Sequence, residues 1–493
     1  MVTKGIEPAE IFSFFEDICG IPHGSRNEAA LAAYIVDFAK ARDLWHRTDE
    51  MHNVVIKKAG SAGYESAPPL MMQAHIDMVC EKNNDTIHNF TKDPIKLVLD
   101  GDFLKADGTT LGADNGIGAS FMLALLDSSD IAHPPLECVF TTQEEIGLFG
   151  AAALDVSDIY ARTLINLDSS REGIITVGCA GGLRVVASFE PVWISMPDGY
   201  TTYELSLGGL LGGHSGGDII LERGNANILM ARAIHQLMCE FTLVHRLTDG
   251  YGLMVVGMNG GSMDNAIPRE CSATIAIPSG DKHHLFAKIE QLQADYKKEY
   301  RLNEASVSLR ATKSDKTAAK ALANESLMKL FGLVMLAPSG VLARSLEMEN
   351  LVETSNNVAV VTTQDDCVTV RLSSRSSVKT RKEFISQRHR LLAEILGVKL
   401  EFSGEYPSWE YAPSSRVRDM AKQAYIEQYG KEPTITGVHG GLEPGILGSK
   451  IPGLDSIAIG PSAYSLHSPD ERVSISSVQR TWTFVKNILA KLV

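Results

Sequence analysis

Three apolar, strand-like segments in the first third of the chain each lead directly into acidic or imidazole side chains. The first runs from Met71 to His75 and Asp77, the second from Cys138 to Glu144 and Glu145, and the third from Leu164 to Asp168. In an open α/β sheet the carboxyl ends of the strands meet at one edge, where active sites collect. The pattern therefore predicts an α/β fold with a histidine and several acids gathered at one edge of its sheet.

The sequence around these segments alternates between strand and helix signals. Strand-like runs cover residues 53–58, 69–77, 136–142 and 163–168, and amphipathic or apolar helical runs cover 27–44 and 115–126. Such alternation is typical of a sheet with helices on both faces. We therefore predict an αβα-layer catalytic domain.

A different pattern begins near residue 200. From there to residue 312 the order is strand, helix, strand, strand, helix, strand, which is the split βαβ or ferredoxin-like pattern. Residues 317–402 follow with a helix, two strands, a helix and a strand. We interpret 184–403 as an inserted α+β lid domain with two related halves, and 1–183 together with 404–493 as the domain that it interrupts.

Composition excludes several classes of partner. The chain of 493 residues carries 46 Lys and Arg against 60 Asp and Glu, a net charge of −14, so it lacks the basic footprint for nucleic acid or an anionic membrane. It shows neither an apolar run of about 18 residues nor a secretory signal. Its seven cysteines are odd in number and include no CxxC pair, which indicates reduced thiols and a cytoplasmic protein.

Two further residues join the acidic strand ends as candidates. Asp114 lies in a glycine-rich turn before an apolar helix, and His467 lies in a polar loop. Taken alone, each candidate has an ordinary explanation, such as a helix N-cap for Asp114 or a solvated turn for the adjacent glutamates. Two imidazoles and three carboxylates come from His75, His467, Asp114, Asp168 and one of the two adjacent glutamates, a set that suits zinc. The other glutamate remains to move protons.

The order and spacing of these motifs resemble the co-catalytic zinc exopeptidases. The resemblance rests on His75-x-Asp77, on the segment Gly112-Ala113-Asp114-Asn115-Gly116, and on Glu144, Glu145 and Asp168. Two closing motifs, at 438–443 and 467–471, are similar to the branch of bacterial aminoacyl-histidine dipeptidases. Pro444 departs from the pattern of that branch, which has cysteine at this position.

The resemblance implies a role for each candidate at a pair of zinc ions, with manganese or cobalt as substitutes. His75 and Asp168 would hold one ion, Glu145 and His467 the other, Asp114 would bridge them, Asp77 would orient His75, and Glu144 would be the general base. The family also has a cis peptide after the bridging aspartate, here Asp114–Asn115.

Further residues are implied on the substrate side. His214 would donate to the oxyanion, Asn265, Arg269 and Arg375 would contact the substrate, and His439 and Glu443 would line the site. For Asn265, Arg269 and Arg375 an ordinary surface role remains equally open. Pro444 fixes its own φ and removes a backbone N–H donor. If its loop lines the pocket for the leaving group, the preference for histidine at that position would change.

The resulting prediction is a metal-dependent hydrolase of small dipeptides, Xaa-His and β-alanyl-histidine included, with broad tolerance. A deacylase or aminopeptidase on the same metals is the nearest rival, and a non-enzymatic metal-binding relative is another. A serine hydrolase is a third alternative, because Gly213 to Gly217 matches the G-x-S-x-G motif of a nucleophile elbow. Such an elbow, however, needs a strand directly before it and a helix directly after it. The sequence leaves open whether the protein is a monomer or a homodimer.

Overall fold

A computed structural model describes residues 2–245 and 252–492. The chain forms two compact units, the first from residues 1–179, 409–437 and 442–493, and the second from 180–408 and 438–441. The predicted domains also take in Met1, residues 246–251 and Val493, which lie outside the described residues. The prediction gave 180–183, 404–408 and 438–441 to the first domain, whereas these segments group with the second unit.

The first unit is built on a mixed sheet. Its strands, in sheet order, are Trp45–Thr48, Val54–Lys58, Leu136–Thr141, Leu70–His75, Thr163–Asn166, Asp455–Ala458, Ile174–Cys179 and Thr434–Val438. Leu70–His75 and Leu136–Thr141 are buried along their whole length. Because both faces of the sheet are covered there, these strands are largely apolar instead of alternating, with buried polar side chains such as Gln73 and Glu137 among the apolar ones.

The sheet order places the predicted strand ends side by side. Leu70–His75 lies between Leu136–Thr141 and Thr163–Asn166 and is parallel to both. The three strands therefore deliver the residues that follow them to one edge of the sheet, as the sequence predicted.

Helices cover the sheet of the first unit. They are Ala9–Cys19, Ala29–Lys40, Ala113–Asp127, Phe149–Ala153, Arg416–Tyr429, Glu443–Lys450 and Ile475–Leu492. Ala113–Asp127 is buried almost all round, which explains why its sequence is apolar without a polar face. Phe121 on this helix stacks on Trp482 of the last helix with 5.5 Å between ring centroids.

A small second sheet in the first unit carries the loop of His467. Its strands, in order, are Ala463–Tyr464, Arg472–Ser474, Phe103–Ala106 and Leu97–Asp100. Ser474 Oγ donates a 2.6 Å hydrogen bond to Asp102, which fastens the hairpin to the neighbouring turn. These strands have two to four residues, too few for a periodic pattern, and the sequence did not predict them.

The second unit contains one long antiparallel sheet. In order its strands are Ser308–Lys313, Tyr200–Gly208, Cys271–Pro278, Met254–Gly260, Val352–Thr363, Val368–Ser376, Gly181–Phe189 and Lys399–Tyr406, with Gly340–Arg344 paired to Val352–Thr363. Two short pairs accompany it, Trp193–Ser195 with Lys320–Leu322 and Gly213–His214 with Ala266–Ile267. The helical segments are Ile219–Leu221, Ala226–His245, Ser279–Asp281, Lys282–Glu299, Asn324–Phe331, Gly332–Leu336 and Lys379–Leu396.

Both halves of this sheet follow the ferredoxin-like order. In the first half, the strands numbered along the chain from Tyr200–Gly208 lie in the order 4-1-3-2, as a split βαβ motif requires. The second half has the same order, but its first strand is Gly181–Phe189, so the first half is inserted after that strand. The predicted ferredoxin-like α+β pattern is thus confirmed, and the two halves join at Gly260 and Val361.

No helix within 2–245 or 252–492 combines the length and apolar character needed to cross a membrane.

Candidate metal centre

The carboxyl edge of the first sheet gathers the five predicted metal ligands and Glu144. Their ligand atoms form three overlapping groups, each within 4.8 Å: His75 with Asp114 and Asp168, His75 with Glu144 and Glu145, and Asp114 with Glu145 and His467. We call the five residues His75, Asp114, Glu145, Asp168 and His467 the metal-ligand cluster.

Asp114 stands between the two imidazoles of this cluster. Its Oδ1 lies 3.1 Å from His75 Nε2, and its Oδ2 lies 3.5 Å from His467 Nε2. Each imidazole also faces a second carboxylate, Asp168 at 3.9 Å from His75 and Glu145 at 3.0 Å from His467. The N-cap explanation of Asp114 is wrong, because its carboxylate caps no helix and points at the imidazoles instead.

The residues fit a pair of metal ions. Glu145 Oε1 is buried and has no hydrogen-bond partner within residues 2–245 and 252–492, although His467 Nε2 is only 3.0 Å away. A buried oxygen without a partner is costly, and a shared cation would satisfy both atoms at once. Imidazole nitrogen with carboxylate oxygen is also a ligand set that zinc and its neighbours accept.

The charge balance of the site points the same way. Burial raises the pKa of Asp168 well above its ordinary value, and the charge of Asp114 adds to this. Burial likewise raises the pKa of Glu144, to which the charges of Asp168 and Glu145 contribute. Without a cation the site therefore holds more carboxylate charge than its two imidazoles neutralise.

Asp77 holds the glutamate pair in place. Its carboxylate accepts hydrogen bonds from Glu144 N at 3.0 Å, Glu145 N at 3.3 Å and Ser25 Oγ at 2.7 Å. His75 Nδ1 lies 3.0 Å from the main-chain oxygen of Asp77 and 3.5 Å from its carboxylate. The aspartate thus orients His75 chiefly through its backbone, while its side chain positions the segment that carries Glu144.

Glu471 holds the segment that leads to Asp114. Its Oε2 accepts from Leu111 N at 2.8 Å and Gly112 N at 3.1 Å, and its Oε1 accepts from Ala113 N at 2.9 Å and Asp114 N at 3.4 Å. Gly112 has a φ of +73°, the left-handed conformation that turns successive N–H groups toward one anion. The Asp114–Asn115 peptide that follows is cis, as the family resemblance implied.

Glu443 is fully buried in the first unit. It accepts hydrogen bonds from Gln73 Nε2 and from Thr141 Oγ1, the latter at 2.9 Å. Gln73 in turn accepts from Asn166 Nδ2 at 2.6 Å, and Asn166 Oδ1 accepts from Asp168 N at 3.2 Å. Its implied place in substrate binding stays a prediction, and the observed contacts connect it to the backbone of Asp168.

Pro444 stands at the start of the helix Glu443–Lys450 and is buried. A proline in the first turn of a helix removes no intrahelical hydrogen bond, so it fits there without disturbing the backbone. The first turn of this helix therefore accommodates Pro444, the residue by which the chain departs from the dipeptidase branch.

The second unit contains the remaining predicted residues. We call His214, Ser215, Arg375 and His439 the Arg375 cluster. Arg375 and His439 are only 8% and 7% exposed, yet in the part of the chain that the structure describes Arg375 Nε, His439 Nδ1 and Ser215 Oγ have no hydrogen-bond partners. Burial and the charge of Arg375 lower the pKa of His439 to about 3, so the imidazole is neutral near pH 7.

His214 is held as a hydrogen-bond donor. Its Nδ1 accepts from the N–H groups of Gly216 and Gly217, both at 3.2 Å. An accepting Nδ1 leaves the proton of the neutral ring on Nε2. Desolvation and the charge of Arg375 lower the pKa of His214, which favours this neutral form.

Asn265 and Arg269 lie on the surface of the second unit. Asn265 contributes its main-chain oxygen to Ser215 N at 2.7 Å, and Arg269 lines a groove of about 1120 Å³. Their side-chain roles stay predictions.

The serine-hydrolase alternative is wrong. Ser215 follows a strand of two residues, and the next α-helix begins only at Ala226. The hydroxyl of Ser215 is buried, and none of the described residues hydrogen-bonds to it as an activating base would.

Sequence reasoning missed three supporting residues, namely Ser25, Gln73 and Glu471. Glu471 lay within a motif that the resemblance used, but nothing local showed that its carboxylate was buried. Gln73 lies inside an apolar strand, and a polar residue at such a buried position could have indicated a structural or functional role.

The comparisons with known proteins agree with this geometry. Residues 71–491 match Peptidase family M20/M25/M40. The chain is 38% identical over 489 residues to the cytosol non-specific dipeptidase of Escherichia coli, a match that covers 99% of this chain and 98% of that protein. The crystal structure of aminoacylhistidine dipeptidase from Vibrio alginolyticus superposes with a TM-score of 0.90 at 37% identity, over 100% of this chain and 98% of the other.

A more distant structure supports the fold alone. An aminopeptidase from Bacillus cereus matches with a TM-score of 0.56 at 15% identity, over 99% of both chains. The family match and the two relatives that cover nearly the whole chain confirm the resemblance to the co-catalytic exopeptidases, and the α/β fold class is confirmed as well. The chain belongs to peptidase family M20/M25/M40 and is a metallopeptidase.

Proposed function

We propose that the protein is a cytoplasmic dipeptidase that works with two metal ions held by the metal-ligand cluster. The observation that carries the proposal is the position of Asp114, whose two oxygens face the imidazoles of His75 and His467. A carboxylate that faces two separate ligand groups can serve two ions at once. Two relatives that match nearly the whole chain are both named dipeptidases, and one is named for the cytosol.

The ligand assignment follows the pairs within the cluster. His75 and Asp168 would hold one ion, Glu145 and His467 the other, and Asp114 both. Zinc suits two imidazoles and three carboxylates, and manganese or cobalt are substitutes. When bound, such a pair lowers the pKa of a water molecule and polarises the substrate carbonyl.

Glu144 is the proton carrier in this proposal. Asp77 fixes its backbone, and its side chain lies beside His75 and Glu145 without belonging to the metal-ligand cluster. The carboxylate takes a proton from the attacking water and returns it to the amine that leaves.

The Arg375 cluster supplies groups for the dipeptide itself. Arg375 Nε is a buried, charged donor that no described residue satisfies, and the α-carboxylate of a dipeptide would satisfy it. His214 Nε2–H would donate to the oxygen on which negative charge develops. We expect dipeptides with a free carboxylate to be preferred, Xaa-His and β-alanyl-histidine among them, with broad tolerance.

The test is hydrolysis of a panel by chelator-treated protein before and after zinc, manganese or cobalt is restored. The panel holds dipeptides varied at each position, tripeptides and N-acyl amino acids. Metal-dependent cleavage of dipeptides above the other classes is expected. Preferred cleavage of N-acyl amino acids or of longer peptides would assign the site to a deacylase or aminopeptidase instead.

A further inference from the structure

The metal-ligand cluster combines residues from distant parts of the chain, and two of its ligands sit on irregular segments. Asp114 follows a glycine turn, and His467 lies on the loop 465–471 with half of its side chain exposed. A loop held only by its own contacts would place its imidazole poorly, and a displacement of about 1 Å at such a site is harmful. Something in the chain has to fix the two segments against each other.

Glu471 makes that connection. It lies four residues after His467 on the same loop, and it is 2% exposed. Other hydrogen bonds of the loop are local: Ser468 Oγ donates to Ser465 O at 2.7 Å, and Arg472, on the strand that follows, donates to Ser465 Oγ and Asp470 O. The carboxylate of Glu471 instead reaches the four successive N–H groups that end at Asp114.

We propose that Glu471 is a positioning residue that couples the His467 loop to the Asp114 turn and so sets the affinity of the metal pair. The inference rests on the proposed two-metal function. A carboxylate that accepts from N–H groups forms charge-assisted hydrogen bonds, which are roughly twice as strong as neutral ones. Both of its oxygens are engaged, each by two donors, so charge and shape are both needed.

Glu471→Gln is the informative substitution. It keeps the length of the side chain, but it removes the charge and turns an NH₂ group toward backbone donors that face it. Glu471→Asp keeps the charge but shortens the reach. Asp470→Asn is the matched control, since it removes one charge from the exposed neighbour in the same loop.

The experiment titrates zinc into chelator-treated, metal-free protein by calorimetry and measures the thermal midpoint of each variant with and without zinc. Replacement of a residue that orients a metal ligand costs about 10- to 100-fold in metal affinity. We expect a loss of this size for E471Q, a smaller one for E471D and none for D470N. We also expect excess zinc to restore most of the kcat of E471Q, because Glu471 touches neither metal nor substrate.

The outcomes separate this inference from the proposed function. If the wild-type protein binds fewer than two zinc ions, the proposed function fails. If it binds two and E471Q binds both with wild-type affinity, the inference on Glu471 fails while the function stands. A lower midpoint of metal-free E471Q with an unchanged stabilisation by zinc would show a merely structural role and also overturn it. If E471Q does not fold, E471D is held to the same criteria.

Discussion

The metal-ligand cluster and the Arg375 cluster have opposite charge, and they differ in how other side chains hold them. In the first unit the metal-ligand cluster is negative, and carboxylates elsewhere hold its backbone, Asp77 under the glutamates and Glu471 under Asp114. In the second unit the Arg375 cluster is positive, and three of its polar atoms have no hydrogen-bond partner among the described residues, as is also true of Glu145 Oε1 in the first cluster. We propose that cations complete the first cluster and that an anionic group of the substrate completes the second.

The largest effect should come from the proton carrier. Glu144→Gln keeps the size of the side chain but cannot accept the proton, so we expect kcat to fall by about 10²- to 10⁴-fold. The measurement is dipeptide hydrolysis at saturating zinc, together with the metal content of the purified variant. Full activity in E144Q would remove the proposed mechanism, and loss of metal along with activity would make Glu144 a ligand rather than a base.

Arg375→Lys tests the anion side of the comparison. Lysine keeps the charge but lacks Nε, the donor without a partner, and a hydrogen bond to a charged group is worth about 1.5–3 kcal/mol. We therefore expect KM for a dipeptide to rise about 10- to 100-fold with a smaller change in kcat. A dipeptide amide should be a poor substrate for the wild-type protein and suffer little further loss in R375K. An equal further loss with the amide would mean that Arg375 does not bind the carboxylate.

His439 links the same cluster to pH. Its folded-state pKa of about 3 lies below the ordinary value of 6.5, so the unfolded chain takes up the proton first as pH falls. The stability contributed by the neutral imidazole is therefore complete above pH 6.5 and is lost from there down toward pH 3, by at most about 1.4 kcal/mol per pH unit. His439→Gln should flatten this part of the unfolding free energy measured by urea titration. An unchanged slope would show that His439 is not buried in its neutral form.

Gly112→Ala gives the smallest effect and tests the support under Asp114. The glycine has a φ of +73°, and a Cβ there would lie 3.0 Å from Met78 Sδ. We expect a loss of about 1–2 kcal/mol in the free energy of unfolding, because the left-handed conformation disfavours any side chain. Gly448→Ala is the control, since that glycine is exposed and nothing lies within 4 Å of the added Cβ. A G112A protein as stable as G448A would contradict the structure of the turn.

The sequence could predict what depends on local pattern. Apolar segments that end in acidic or imidazole side chains predicted that His75, Glu145 and Asp168 lie at one edge of the sheet. This was possible because both the apolar run and the polar end are visible within a few residues of sequence. The family resemblance added Asp114 and His467, which have no periodic signal. The hydrogen bonds that hold the segment leading to Asp114 could not be predicted, because their acceptor, Glu471, lies more than 350 positions later in the chain. The same holds for Glu443, whose burial depends on strands far away in the sequence.

Counting bound metal ions tests most directly whether the metal-ligand cluster holds two ions through a shared Asp114. Native mass spectrometry of metal-free protein resupplied with zinc should show two ions per chain. Asp114→Asn should weaken both ions, whereas Asp168→Asn should weaken one and leave the other. Binding of a single ion by the wild-type protein, or loss of only one ion in D114N, would contradict the account.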